Sequence, residues 1–132
     1  MSNAIYDESS VPGIFRNRVR TLGDRVLFKY RYNEDWTDMT YAAAKERVDA
    51  IATYMIRDGI KPGDRIAIYS TNRPEWALAD IAALSVGAAD VTIYPTNSGP
   101  EAAYILNDSG SKFCFCSGKF QVENLLSQKS EL

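Results

Sequence analysis

The sequence predicts a three-layer α/β/α fold, in which an antiparallel hairpin near the amino terminus precedes a mainly parallel sheet. Short apolar segments alternate three times with segments of helical periodicity, a pattern typical of parallel βαβ units. The segments at residues 66–68 and 91–93 are mostly apolar, which indicates strands covered on both faces. The chain has 132 residues, 45% of them hydrophobic, which is enough for one domain with a buried core.

A lead and a first helix precede the hairpin. Residues 1–9 are polar and aperiodic, and Ser2-Asn3-Ala4 resembles what tag cleavage leaves, so we expect a disordered or tag-derived segment. Ser10 is a favourable N-cap, and Gly23 can end a helix whose apolar residues recur at helical spacing.

The hairpin is predicted from residues 25–32 and 36–39. Alternation in the first segment places four apolar or aromatic side chains on one face: Val26, Phe28, Tyr30 and Tyr32. A polar turn at residues 33–35 then returns the chain as a second short strand.

A long amphipathic helix follows the hairpin. Thr40 is its expected N-cap, and Gly59 is expected to end it in the left-handed conformation. Its apolar stripe has helical spacing and comprises Val48, Ile51, Ala52, Met55 and Ile56. A turn at residues 61–64 leads into a strand at residues 65–70.

Two further helices begin with the same capping pattern, in which a polar N-cap precedes a glutamate by three residues. Asn72 and Glu75 are expected to form it at the first start, and Ser98 and Glu101 at the second. Strands are predicted at residues 90–94 and 112–116. A last helix is expected at residues 120–126, with three side chains facing inward: Val122, Leu125 and Leu126.

Composition excludes several function classes. The 15 lysines and arginines against 17 aspartates and glutamates give a net charge of −2, which argues against a protein that binds nucleic acid. Histidine is absent, which removes Ser-His-Asp triads, Cys-His nucleophiles and Cys-His zinc sites. No apolar run reaches the ~18 residues of a membrane span, and no signal peptide is recognisable. We therefore expect a soluble, cytoplasmic protein.

Cys114 and Cys116 are the two cysteines of the sequence. In a strand, residues i and i+2 share a face, so both thiols can point at a metal ion or at each other. Cysteine is also among the most buried residue types, and the flanking phenylalanines indicate a strand buried on both sides. Burial therefore favours a structural role over a metal or redox role.

Five segments, in order and without large gaps between residues 10 and 120, carry a resemblance to a known family. They are Trp36-Thr37-Asp38-Met39-Thr40-Tyr41, Gly59-Ile60-Lys61-Pro62-Gly63-Asp64-Arg65-Ile66-Ala67-Ile68, Ser70-Thr71-Asn72-Arg73-Pro74-Glu75-Trp76, Ile93-Tyr94-Pro95-Thr96 and Tyr104-Ile105-Leu106-Asn107-Asp108-Ser109. Together they resemble the adenylate-forming acyl-CoA synthetases, in particular the long-chain fatty-acid branch.

The resemblance implies a partial domain of the adenylate-forming synthetase fold, with residues 10–132 as the amino-terminal part of the large AMP-binding domain. It implies a parent enzyme that converts a long-chain fatty acid, with ATP, Mg²⁺ and coenzyme A, into an acyl-adenylate and then a thioester. The family's phosphate loop, its aromatic-Thr-Glu motif and its catalytic lysine have no counterpart in this sequence. We therefore expect this chain to bind no cofactor and to be inactive alone, and its parent to be cytoplasmic or peripheral at a membrane.

Candidate site residues within the chain are few. Ligands of open parallel sheets bind beyond the carboxyl ends of the strands. The loops at residues 70–73 and 95–98 are therefore expected to face the parent's substrate cleft, with Asn72 and Thr96 as the nearest polar residues. Trp76 suits a ligand tunnel or the core, and burial habits favour the core. No residue is expected to be catalytic or to bind a metal.

Other function classes stay open. A free-standing flavodoxin-like binding or regulatory module has the same α/β pattern, although the sequence has no acidic phosphoacceptor cluster and no flavin phosphate loop. A luciferase-like enzyme or a peptide-synthetase adenylation domain keeps the fold and changes the chemistry. An open sheet edge and a low net charge also predict that the chain associates with itself.

Overall fold

The computed structural model describes residues 8–132, so the predicted lead at residues 1–9 lies outside it except for Glu8 and Ser9. The helices are α1 (Val11–Leu22), α2 (Tyr41–Arg57), α3 (Pro74–Ser85), α4 (Gly99–Ser109) and α5 (Lys119–Leu126). The strands are β1 (Val26–Tyr30), β2 (Thr37–Thr40), β3 (Arg65–Tyr69), β4 (Ala89–Ile93) and β5 (Phe113–Cys116). Among the described residues, no helix is long and apolar enough to cross a bilayer. The predicted order of elements is confirmed.

The larger sheet is parallel and has the strand order β4-β3-β5. Its pairing is in register, with Ile68 of β3 beside Thr92 on one side and Phe115 on the other. The first connection runs from the central strand β3 to β4 at one side of the sheet. The second connection runs from β4 back across β3 to β5 at the other side. Right-handed crossovers then place α3 and α4 on opposite faces of the sheet, which produces the predicted three layers.

Two hydrophobic clusters cover the two faces of this sheet. On one face, Ile66 packs with Met55 of α2 and Leu78 of α3, and all three side chains are at most 1% exposed. On the other face, Tyr69 packs with Ala102 of α4, and both are fully buried. Residues of β3 thus alternate between two cores, and the prediction of a strand covered on both faces is confirmed.

The smaller sheet is the predicted antiparallel hairpin of β1 and β2. Phe28 pairs with Met39, but Val26 pairs with Thr40, so Leu27 is an extra residue that forms a bulge. The bulge turns Leu27 toward the core and leaves Val26 43% exposed. The prediction that Val26 shares the buried face of Phe28 is therefore wrong.

Three of the predicted N-caps are confirmed. Ser10 Oγ accepts a hydrogen bond from the Gly13 backbone N–H at 3.2 Å, and Thr40 Oγ1 accepts one from Ala43 at 3.1 Å. The pattern at residues 98–101 forms a complete capping box. Gly59 has φ +90°, the left-handed conformation predicted for the end of α2.

The predicted cap at Asn72 is wrong. The N-cap of α3 is Arg73, which has an extended backbone and makes no side-chain cap bond, and Asn72 is exposed. Glu75 does not close a capping box with Asn72, because its carboxylate accepts hydrogen bonds from the side chains of Arg73 and of Tyr32, which follows β1.

Three side chains predicted to face the core are exposed. Ile56 is 60% exposed, because it lies about 80° around the helix from Val48 at 100° per residue. In α5, Val122 and Leu126 are 42% and 62% exposed. The buried position of α5 belongs to Gln121, whose amide donates to the Pro95 carbonyl at 3.4 Å.

Candidate functional site

The candidate site is the edge of the larger sheet where its three strands end. Because β3, β4 and β5 are parallel, the loops at residues 70–73, 94–98 and 117–118 all leave this edge. The loop after β3 leads to α3 on one face of the sheet, and the loop after β4 leads to α4 on the other face. In open α/β sheets, the point where successive connections change direction in this way forms a crevice in which ligands bind.

Arg73 joins three parts of the molecule at this edge. Its guanidinium donates to the Ser117 carbonyl at 2.9 Å, after β5, and to Glu75 at 2.9 Å, in α3. It also lies 4.9 Å from the centre of the Tyr32 ring, next to the hairpin. Tyr32 in turn donates its hydroxyl proton to Glu75. We call Tyr32, Arg73, Glu75 and Ser117 the arginine clamp.

The clamp fixes the charges of its members. Burial alone would raise the pKa of Glu75, but the hydrogen bonds from Arg73 and Tyr32 outweigh it and lower the pKa to about 2. The hydrogen bond to Glu75 raises the pKa of Arg73 further above its usual range. Burial, followed by the contact with Glu75, raises the pKa of Tyr32. At neutral pH the clamp therefore holds an ion pair and a neutral phenol.

An apolar cavity of about 270 Å³ lies beside the clamp, between the sheet and the helices α2 and α3. Its apolar lining includes Ile51, Ile68, Trp76, Ala79 and Phe115. Its polar rim is formed by Ser70 and by three members of the clamp, Arg73, Glu75 and Ser117. Trp76 is half-buried and lines this cavity, and it belongs to neither of the two hydrophobic clusters. The geometry therefore brings Trp76 and the loop after β3 to one place.

A second set of contacts ties the opposite face of the edge together. The Tyr69 hydroxyl donates to the Asn97 carbonyl, and Asn124 Nδ2 donates to the Tyr69 oxygen at 2.9 Å. Together with the bond from Gln121 to Pro95, these contacts attach α5 to the loop after β4. Hydrogen bonds to the Pro95 and Asn97 carbonyls thus hold the loop on both sides of Thr96.

The two residues predicted for the site occupy different loops of the edge. Asn72 is exposed and lines an open cavity of about 380 Å³ together with Tyr30, Tyr32 and Arg73. Thr96 is exposed on the loop after β4. Their orientation toward a substrate cleft remains a prediction.

Sequence reasoning missed the arginine clamp. One local signal was available for Arg73, since proline prefers the first helical position and Pro74 therefore marks Arg73 as the N-cap. No local signal identifies Tyr32 or Ser117, because they lie 43 residues before Glu75 and 44 residues after Arg73.

The described residues do not fit a complete site for ATP and magnesium. Within residues 8–132, no three His, Cys, Asp or Glu side chains form a possible metal site. In the same part of the chain, no buried side-chain nitrogen or oxygen lacks a hydrogen-bond partner. Two of the five N–H donors of the Arg73 guanidinium serve Glu75 and Ser117.

The sequence and the fold of this chain are similar to those of known proteins. The sequence matches the family described as "AMP-binding enzyme" over residues 15–132. It is 39% identical over 92 residues to a long-chain-fatty-acid–CoA ligase, FadD15, of Mycobacterium bovis, which covers 70% of this chain and 15% of that protein. It is 36% identical over 106 residues to fatty acyl-CoA synthetase A of Dictyostelium discoideum, covering 80% and 16%. The chain thus spans about 15% of the length of these relatives.

Solved structures show the same fold. A fatty acyl CoA synthetase of Mycobacterium tuberculosis matches with a TM-score of 0.77 at 27% identity, covering 89% of this chain and 23% of that chain. The inhibitor-bound N-terminal domain of FACL13 from the same organism gives the same TM-score and identity, covering 89% and 29%.

Proposed function

The chain belongs to the AMP-binding enzyme family, and we propose that it is the amino-terminal part of a long-chain fatty-acid–CoA ligase. The observation that carries the proposal is the 39% identity over 92 residues with a ligase of that name. The proposed whole enzyme activates a long-chain fatty acid with ATP and Mg²⁺ to an acyl-adenylate and transfers the acyl group to coenzyme A. Residues 10–132 form the first part of its large AMP-binding domain.

In that enzyme, this chain supplies a scaffold and one wall of the substrate cleft. The arginine clamp holds the loop after β3 against the end of β5, and the contacts of Tyr69 hold the loop after β4. Asn72 and Thr96 project from these loops and are the proposed polar contacts of the cleft. The carboxyl edge of an open α/β sheet supports this placement, because ligands approach such sheets from that side.

The chain by itself is proposed to be inactive. It has no phosphate-gripping loop and no lysine placed against a reacting carboxylate, so it offers little stabilisation of a transition state. The pure 132-residue protein, given ATP, Mg²⁺ and palmitate, should release no pyrophosphate above background. Release that depends on the fatty acid would contradict the proposal.

A chimera tests the proposed parent activity. Residues 10–132 would replace the corresponding segment of the Mycobacterium tuberculosis synthetase that matches with TM-score 0.77. We expect AMP formation with palmitate to persist and AMP formation with benzoate to stay at background. A chimera that folds, as judged by circular dichroism, but activates benzoate in preference to palmitate would overturn the assignment to the long-chain branch.

We propose that two copies of the chain associate by strand pairing along the outer side of β5, which is an outer strand of the described sheet. Among the described strands, β5 pairs only with β3, and its residues Phe113–Cys116 carry no charge that would discourage another strand. The opposite edge strand β4 carries Asp90, which makes it the less favourable edge. Sedimentation should show dimers at high concentration, and a monomer throughout would contradict this.

The proposed location is the cytoplasm, with peripheral contact of the whole enzyme with a membrane as the alternative. Centrifugation of a cell lysate separates the two. A ligase that sediments with membranes and is released by salt would favour the alternative.

A further inference from the structure

The two cysteines of β5 form a close pair of thiols. Cys114 and Cys116 are both free, and their sulfur atoms lie 3.9 Å apart. They share the face of β5 that packs with α4 and α5, as residues i and i+2 of a strand should. Both faces of β5 pack against a hydrophobic cluster, as expected, but all four of its residues are only half-buried.

The position of β5 makes this pair accessible to small molecules. In the described sheet, β5 is an edge strand, with β3 on one side only. Cys114 lines an open cavity of about 250 Å³ whose other lining residues include Lys112 and Leu125. A small reagent can therefore approach Cys114 through this cavity, and Cys116 is also only half-buried, so neither thiol requires the sheet to unfold before it reacts.

We propose that Cys114 and Cys116 are a site of reversible oxidation, at which a low-molecular-weight disulfide converts the two thiols into one disulfide within the strand. The Cys116 thiolate attacks a sulfur of the reagent, breaks its S–S bond and releases one thiolate. The Cys114 thiol then loses its proton and attacks the Cys116 sulfur, which releases the second thiol. Two protein thiols are oxidised and one reagent disulfide is reduced to two thiols.

The electrostatics of the pair support this order of attack. The two sulfur atoms lie within hydrogen-bond distance of each other, and the contact with the Cys114 thiol lowers the pKa of Cys116. The same contact, together with burial, raises the pKa of Cys114. Cys116 is therefore the thiol that ionises first and reacts first.

Oxidation should also be felt at the candidate site. Residues i and i+2 of a strand lie about 6.6 Å apart between Cα atoms, near the upper end of the range that disulfides span, so β5 must contract. Cys116 pairs with Tyr69 of β3 and precedes Ser117, whose carbonyl accepts from Arg73. Cys116 and Ser117 also line the cavity that contains Trp76. A contraction at Cys116 therefore reaches Trp76.

The test exposes the 132-residue protein to oxidised glutathione and then blocks the remaining thiols for mass spectrometry. We expect the wild type to lose two hydrogens and both alkylation sites, and dithiothreitol to restore them. The variants Cys114→Ser and Cys116→Ser should instead each retain one glutathione, with Cys114→Ser reacting several-fold faster because it keeps Cys116. In a Trp36→Phe background, the fluorescence of Trp76 should change on oxidation of the wild-type pair.

Several results would overturn the proposal. Wild type that stays reduced, that accumulates a stable adduct with glutathione, or that forms only disulfides between two chains would show that the pair does not close. Unchanged fluorescence of Trp76 in fully oxidised protein would show that closure does not reach the candidate site. Circular dichroism of the serine variants excludes misfolding as the cause of their behaviour.

Discussion

The starts of α3 and α4 have the same sequence pattern and different structures. Both read polar residue, any residue, proline, glutamate: Asn72-Arg73-Pro74-Glu75 and Ser98-Gly99-Pro100-Glu101. At α4 the serine and the glutamate form a complete capping box. At α3 the asparagine makes no cap, and the glutamate belongs to the arginine clamp.

The partners of the two glutamates explain the difference. Glu101 accepts from the Ser98 backbone at 2.7 Å and from the Ser98 hydroxyl at 2.9 Å, both within its own turn. Glu75 meets the guanidinium of Arg73 and the hydroxyl of Tyr32, which comes from another part of the chain. A charged donor and a long-range partner thus outweigh the local cap.

The second position of the pattern also separates the two regions. At α4 it is Gly99, which is buried, and a Cβ there would lie 2.7 Å from the Asn124 carbonyl oxygen of α5. At α3 it is Arg73, whose side chain crosses to the end of β5. Close packing of α4 against α5 therefore determines the structure at the start of α4. At the start of α3, the long polar side chain of Arg73 does so.

The largest effect is expected for Gly99→Ala. The added methyl group collides with the backbone of α5, so we expect a loss of about 2 kcal/mol in the free energy of unfolding, measured by urea denaturation. Gly118→Ala is the matched control, because its Cβ meets only the Gln121 side chain, at 3.6 Å. A Gly99→Ala variant no less stable than the control would show that α4 and α5 are not in close contact there.

Arg73→Met should have the next largest effect. It removes the bonds to Ser117 and Glu75 and the contact with the Tyr32 ring, at a cost of about 1.5 kcal/mol. Arg47→Met, at an exposed position of α2, should change stability by less than about 0.5 kcal/mol. Equal effects of the two substitutions would show that the arginine clamp does not stabilise the fold.

The substitutions Ser98→Ala and Asn72→Ala compare the first position of the four-residue pattern at the starts of α4 and α3. Loss of the Ser98 cap should cost about 1 kcal/mol in thermal or urea unfolding. Loss of the Asn72 side chain should cost less than about 0.5 kcal/mol, because it caps nothing. A cost at Asn72 equal to that at Ser98 would mean that the sequence pattern caps both helices.

Tyr32→Phe should have a small effect on stability, about 0.5 kcal/mol, because Glu75 is still held by Arg73. Its clearer signature is a rise in the pKa of Glu75, since one of the two side-chain donors is lost. A carboxyl titration of this variant that overlays the wild type would exclude Tyr32 from the clamp.

The residues explain which features the sequence could predict. Strands β3 and β4 and the caps at Ser10, Thr40 and Ser98 depend on periodicity and on contacts within four residues, which a sequence displays directly. The bulge at Leu27 depends on pairing between two strands, which local alternation does not display.

The candidate site divides in the same way. Its location at the carboxyl edge follows from parallel strands, so the loops of Asn72 and Thr96 could be predicted. The arginine clamp could not, because its partners are separated by more than 40 residues and meet only when the hairpin and β5 are in place.

The most direct test of this comparison is a carbon-detected NMR titration of the glutamate carboxyl groups. We expect the pKa of Glu75 to be about 2, and to rise toward its usual 4.5 in Arg73→Met, while the lowered pKa of Glu101 stays unchanged by that substitution. Since the folded protein lowers the pKa of Glu75, its contribution to stability is complete above about pH 4.5 and is lost as the pH falls toward 2. A Glu75 pKa near 4.5 in the wild type, unaffected by Arg73→Met, would contradict the claim that the clamp replaces the cap.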